Sequence, residues 1–303
     1  LLDNAGTFAQ TGVLTVSGPT VTVTSDAGAF TGALTLTNAA ATATLAQDYA
    51  FPTLVINSAG TVTVATDDNV TPSPRTLTAG TAFTLTKGIL AMGINHLIVN
   101  TAFTYTAGSI TQTSGFLRMN VGVPSMGTGF AIDNFDVLGN LSVAGAKEKF
   151  TVNKYLLLSG GSITTFADGD LTLGDGATVE RQANGLTLVK LPTFGTTTNL
   201  LYSTAGTITT AKEVPATGLN NVTVKVNTTL GAAMTVNGTL TLTAGALTPT
   251  ATTAELTIAS GGTIVRTAGT IAIAPLVTSY NLTYNGGATT EGLEYVPGKV
   301  ANL

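Results

Sequence analysis

Apolar and polar residues alternate with a period of two along most of this chain, and each short run of alternation ends at Gly or Asn. Examples are VLTVSG (13–18), GALTLTN (32–38), TVTVAT (61–66), NVTVKVN (221–227) and GTLTLTAGAL (238–247). A period of two places successive side chains on opposite faces of an extended strand. β-Branched residues pack well on such a pleated surface, and Gly and Asn tolerate the positive φ that tight turns demand. Thr fills 61 of the 303 positions and Gly 35, and neither favours a helix. No segment keeps an i, i+3, i+4, i+7 apolar stripe for three turns. The chain is therefore expected to be all-β.

Composition narrows the classes further. Hydrophobic residues make up 44% and charged residues 9%, whereas disordered chains need the opposite balance. Apolar runs are too short to span a bilayer as a helix. The chain has no Cys, so disulfides and thiolate metal sites are excluded. A formal net charge of -4 with Lys and Arg scattered leaves no basic stripe for nucleic acid. A start at Leu1-Leu2-Asp3 without Met, and an end at Asn302-Leu303 in mid-pattern, suggest a piece of a longer protein.

The strands repeat at long range. VNKYLLLSGGSI (152–163) lies over VNGTLTLTAGAL (236–247), 84 residues on. Arg181 and Arg266 fall 85 apart, and NLLYS (199–203) and NLTYN (281–285) fall 82 apart. EVPATGLNN (213–221) matches YVPGKVANL (295–303), with Pro215 and Pro297 again 82 apart. AFPTLVIN (50–57) begins a more divergent copy, and GTFAQTGVLTV (6–16) resembles the closing GTIVRTAGTIAI (262–273). A period of roughly 80 residues follows. Its units are a partial one at 1–50, a divergent one at 51–132, full ones at 133–214 and 215–296, and the start of another at 297–303.

Turn spacing divides each unit into three or four coils of roughly 20–27 residues, each too small to bury its apolar face alone. Stacked coils of this kind predict a parallel β-solenoid, or β-helix. A string of immunoglobulin-like sandwiches is the alternative, since roughly 80 residues also suits one sandwich. The absence of Trp and Cys, the 6% aromatic content and the recurrence of strand-turn pieces inside a unit favour the solenoid.

The runs NNVTVKVNTTLGAAMTVNGTLTLTAGAL, ELTIASGGTIVRTAGTI and NLTYNGGATTEGLEYVPGKVANL resemble the Thr/Gly/Asn-rich β-solenoid repeats of very large secreted surface proteins of Bacteroidetes. The resemblance is closest over 213–303, recognisable over 134–200 and weak before 130. It implies export by the type IX secretion route, an extracellular or cell-surface location, and service as an adhesin or structural protein. The sorting domain that ends such proteins is not in this sequence.

Candidate chemistry is sparse. Asp168, Asp170 and Asp175 lie in FADGDLTLGDGA, where hard oxygen ligands around Gly turns could hold a Ca²⁺. EF-hand spacing is missing, and the next unit reads ATTAELTIASGG without these residues. Solvated turn carboxylates are therefore the reading adopted, with Ca²⁺ as the alternative and no other cofactor expected. Asp67-Asp68 and Asp133/Asp136 are weaker candidates. His96 is the one His, and no G-x-S-x-G elbow or second imidazole accompanies it for catalysis or zinc. Arg75, Arg118, Arg181 and Arg266 stand singly. The equivalence of Arg181 with Arg266, and of Tyr202 with Tyr284, points to structural roles, the tyrosines packing at a coil end.

The Thr-x-Thr pairs at 22/24, 35/37, 61/63, 76/78, 84/86 and 239/241 raise ice binding, which needs one pair per coil in register. Their uneven intervals favour ordinary outward-facing strand residues. The expectation is a non-enzymatic extracellular segment of a surface adhesin or filament, its partners being neighbouring repeats or identical subunits end to end. A surface for glycans is the first alternative, and a glycan-cleaving β-helix, with converging carboxylates, the second.

Overall fold

The computed structural model describes residues 2–3, 14–16, 20–24, 33–37, 42–45, 48–66, 73–143, 145, 148–165, 167–204, 206–250, 256–286 and 290–303. Two compact units emerge, residues 1–153 with 163–171, and residues 154–162 with 172–303. Both are parallel β-solenoids. Among the described residues every strand pairing is parallel and none is helical. Immunoglobulin-like sandwiches pair their strands antiparallel, so the ladder decides for the solenoid. No described helix is long and apolar enough to cross a membrane.

In unit 1 one inward column runs Tyr49, Leu77, Leu97, Leu117 and Phe135 in direct register. A second runs Leu34, Leu54, Phe83 and Phe103, and a third Val62, Leu90 and Ile110. All of these side chains are buried, as the alternation requires. Aromatic rings thicken the core, with Phe83 stacked on Phe103 at 5.6 Å and Phe103 edge-on to Phe130 at 5.2 Å. Register partners lie 20 residues apart from Leu97 to Leu117 and 28 apart from Tyr49 to Leu77.

The corners set how closely the coils approach. Gly88 and Gly108 occupy successive coils with φ of +93° and +102°. A Cβ on Gly108 would stand 2.1 Å from the Gly88 carbonyl oxygen. Only glycine fits a left-handed corner packed against backbone in this way.

Unit 2 stacks the strands Ala177–Arg181, Thr198–Tyr202, Leu219–Val224, Thr239–Leu242, Thr263–Arg266, Tyr280–Tyr284 and Val300–Asn302. Its first inward column is aliphatic throughout, reading Leu156, Val179, Leu200, Val222, Leu240, Ile264 and Leu282. The second, two residues on, reads Leu158, Arg181, Tyr202, Val224, Leu242, Arg266 and Tyr284. An Arg–Tyr pair therefore interrupts a hydrocarbon column twice, and Arg181 and Arg266 stand four rungs apart.

Outward positions of the same ladder align Thr223, Thr241, Val265 and Thr283, beside Thr239, Thr263 and Asn281. Sequence intervals along the first of these rows are 18, 24 and 18 residues. Corners absorb the difference, so uneven spacing in the sequence is compatible with exact register in the sheet. The Thr-x-Thr pairs themselves still do not stack on one another: Thr61 and Thr63 face Ile89 and Ala91, Thr76 and Thr78 face His96 and Ile98, and Val265 interrupts the row beyond Thr241.

Candidate functional site

A guanidinium in a hydrocarbon column must find its own counter-charge, because an unpaired buried ion costs several kcal/mol or more. Arg181 is fully buried and its Nη1 meets Oε1 of Glu213, also fully buried, at 2.5 Å. Its Nε donates to the Leu186 carbonyl at 2.6 Å and Nη1 also to the Thr209 carbonyl at 2.7 Å. The Tyr202 hydroxyl donates to the same Glu213 Oε1 at 3.2 Å, and the Ala211 N–H at 3.1 Å.

The second copy repeats this bond for bond. Arg266 Nη1 pairs with Glu294 Oε1 and donates to the Thr290 carbonyl at 3.0 Å, while its Nε donates to the Gly269 carbonyl at 2.7 Å. The Tyr284 hydroxyl donates to Glu294 Oε1 at 3.2 Å and the Gly292 N–H at 3.0 Å. Tyr280 adds a further tie, donating to the Glu294 carbonyl and accepting from the Val296 N–H at 3.0 Å.

Burial and the neighbouring carboxylate push the phenols up: Tyr202 well above its ordinary range, by burial first and then Glu213, and Tyr284 to about 12. Each cluster therefore holds a neutral tyrosine across the neutral range. Glu213 Oε2, Glu294 Oε2 and Arg181 Nη2 have no hydrogen-bond partner. In both clusters the carboxylate is fully buried, and its Oε1 is shared by the guanidinium, the phenol and a backbone N–H.

The acidic candidates disperse. Asp168 and Asp170 belong to unit 1 and Asp175 to unit 2. Asp170 is buried, accepts the Ala167 N–H at 2.6 Å and faces Lys149 Nζ at 3.8 Å. Asp175 is exposed and accepts from Thr196 Oγ1, from Thr197 N at 2.8 Å and from Thr197 Oγ1 at 2.9 Å. These bonds, the Thr196 hydroxyl first, hold its carboxyl below the usual range. Asp133 accepts from Asn153 Nδ2 at 3.0 Å, and buried Asp136 faces Arg118 Nε at 3.4 Å. Asp67 and Asp68 lie outside the described residues. Among the described residues no three His, Asp or Glu side chains gather where they could hold a metal ion.

Two surface features of unit 2 escaped the sequence reading. Tyr155 donates to Glu180 Oε2, and Ser203 Oγ and Gln182 Nε2 donate to Glu180 Oε1. Burial, and then Glu180, raise the Tyr155 phenol. Leu191, Phe194, Val214, Pro215 and exposed Lys212 are among the walls of a cleft of about 600 Å³. Neither places paired carboxylates across a space that a sugar could enter. Compared with protein families, curated proteins and solved structures, the chain finds no match.

Proposed function

We propose that this chain is a non-enzymatic structural segment, a run of β-solenoid coils that lends length and stiffness to an extracellular surface protein or filament. One observation carries the reading: the buried ionisable groups of unit 2 are spent on holding coil to coil, in two matching Arg–Glu–Tyr clusters four rungs apart. Stacked coils derive their stability from neighbours, so length can be added unit by unit. The Thr- and Asn-lined outer face carries little charge and responds weakly to salt. The roughly 80-residue period is then a four-coil module, and its natural neighbours are further modules or identical subunits. Secretion and adhesion, as in the Bacteroidetes surface proteins whose repeats this sequence resembles, extend the same reading.

Electron microscopy of the native, full-length material provides the test. Rods or fibres whose length grows with the number of roughly 80-residue units are expected, and compact particles of unchanged length would reject the proposal. Glycan arrays probe the adhesin extension, and a screen for glycan cleavage probes the enzyme alternative.

A further inference from the structure

His96 opens the strand His96–Val99 in unit 1, with Thr76 as its ladder partner in the preceding coil. Its backbone N–H donates to the Arg75 carbonyl at 2.8 Å. The imidazole points the other way along the stack, where Nδ1 accepts the backbone N–H of Phe116 at 3.1 Å. One residue on, the Leu97 N–H donates to the Phe116 carbonyl at 2.9 Å. The Phe116 ring lies 6.1 Å from the imidazole, centroid to centroid. A side chain thus takes the place of a backbone carbonyl as acceptor for one coil-to-coil bond.

The bond requires a bare Nδ1, so the ring proton sits on Nε2. A second proton on Nδ1 would set two donors face to face. The corner has little room to rearrange, because a Cβ on Gly115 would stand 1.9 Å from the Asn95 carbonyl oxygen. Asn95 is itself buried and pinned, accepting the Arg75 N–H at 2.9 Å and donating to the Val64 carbonyl at 3.0 Å.

Charged groups on the packed elements pull in both directions. Asp48, whose carboxylate accepts the Thr76 N–H at 2.7 Å, favours a charged ring. Arg118, on the strand Leu117–Met119, opposes it, although Asp136 lies 3.4 Å from its Nε. Arg75 contributes its carbonyl to the His96 N–H, and Lys87 lies farther along the strand Thr76–Gly93. Burial first, and Arg118 second, hold the imidazole below its ordinary value of 6.5. The bond is therefore intact above that pH and is lost as pH falls through the lower, folded-state value.

We propose that His96 is an acid-operated latch between two successive coils of unit 1: a proton taken from solvent by Nδ1 removes the acceptor of the Phe116 amide and opens the corner 113–116. No covalent bond other than that to the proton changes, and the latch closes when the proton leaves.

Hydrogen exchange on the full chain tests this at about pH 7.5 and about pH 4.5, corrected for intrinsic rates. The Phe116 amide is expected to lose protection about tenfold at the lower pH, the worth of one net hydrogen bond. Thr76, tied to Asp48, should hold. His96→Asn keeps an acceptor that does not titrate, and should flatten the pH response at Phe116. Unchanged protection in the native chain, an equal loss in the variant, or opening led by Thr76 would each overturn the latch. Should the variant not fold, the native imidazole decides by NMR titration, where a midpoint at or above 6.5 is the contrary result.

Discussion

Arg181 and Tyr202 are direct ladder partners on the buried side of unit 2, and both reach one atom, Oε1 of Glu213. The pair is made by adjacent coils and the carboxylate by the turn that follows, so three pieces of chain are tied at a single point. Arg266, Tyr284 and Glu294 repeat the arrangement.

Removing one member strands the others in a hydrocarbon column. Arg181→Met and Glu213→Gln should each lower stability by about 3–5 kcal/mol, the range for breaking a buried pair. The double variant Arg181→Met/Glu213→Leu should recover most of that loss. Urea unfolding followed by circular dichroism measures all three. A loss in the double variant equal to the sum of the two single losses would show that the pair does not act as a unit.

Alkali should find the same clusters. The folded phenols of Tyr202 and Tyr284 titrate above the ordinary value of 10.0, that of Tyr284 at about 12. Their contribution to stability is complete below the unfolded value and is lost as pH rises through the folded one. Tyrosinate absorbance should lag in the native protein and catch up in denaturant. Tyr284→Phe should remove part of that lag.

The glycine corners predict a sharp contrast. Gly108→Ala meets both a φ of +102° and a carbonyl oxygen 2.1 Å from the new Cβ. It should cost more than about 2 kcal/mol. Gly122 has nothing within 4 Å of a Cβ and no positive φ, so Gly122→Ala should stay within about 0.5 kcal/mol. Thermal melts of the two variants give the comparison.

Thr204 is the one described non-glycine residue with positive φ, at 71°. A β-branched side chain is strained there. Thr204→Gly should raise stability by about 0.5–1 kcal/mol, the relief of strain less the added freedom of the unfolded chain. A lower unfolding midpoint would contradict it.

The fold was legible because a solenoid writes its inward column directly as period-two alternation, and Leu97, Leu117 and Leu240 are buried where that pattern puts them. The equivalence of Arg181 with Arg266 and of Tyr202 with Tyr284 was also visible. The tyrosines sit within the ladder, however, as partners of the arginines and not at a coil end. Glu213 and Glu294 were missed for a geometric reason. Matching Pro215 to Pro297 sets Glu213 over Tyr295, while the equivalent carboxylate lies one residue earlier. A lone turn Glu also reads as a solvated charge until the stack closes over it. Nothing local marks His96 or Asn95, since their partners Phe116 and Arg75 come from neighbouring coils.

Parallel strands of Thr, Val and Leu are nearly interchangeable, and a growing stack could accept the wrong coil at little penalty in hydrophobic contact. The strand ending at Arg181 does not share that tolerance. Laid against the coil of Val224 or Leu242, its guanidinium would face aliphatic carbon with no carboxylate in reach. Among the described residues the same phenol and acid recur only at Tyr284 and Glu294, a full module away from Tyr202 and Glu213. Buried charge here works as a keyed joint, rejecting skipped or doubled coils as the chain folds.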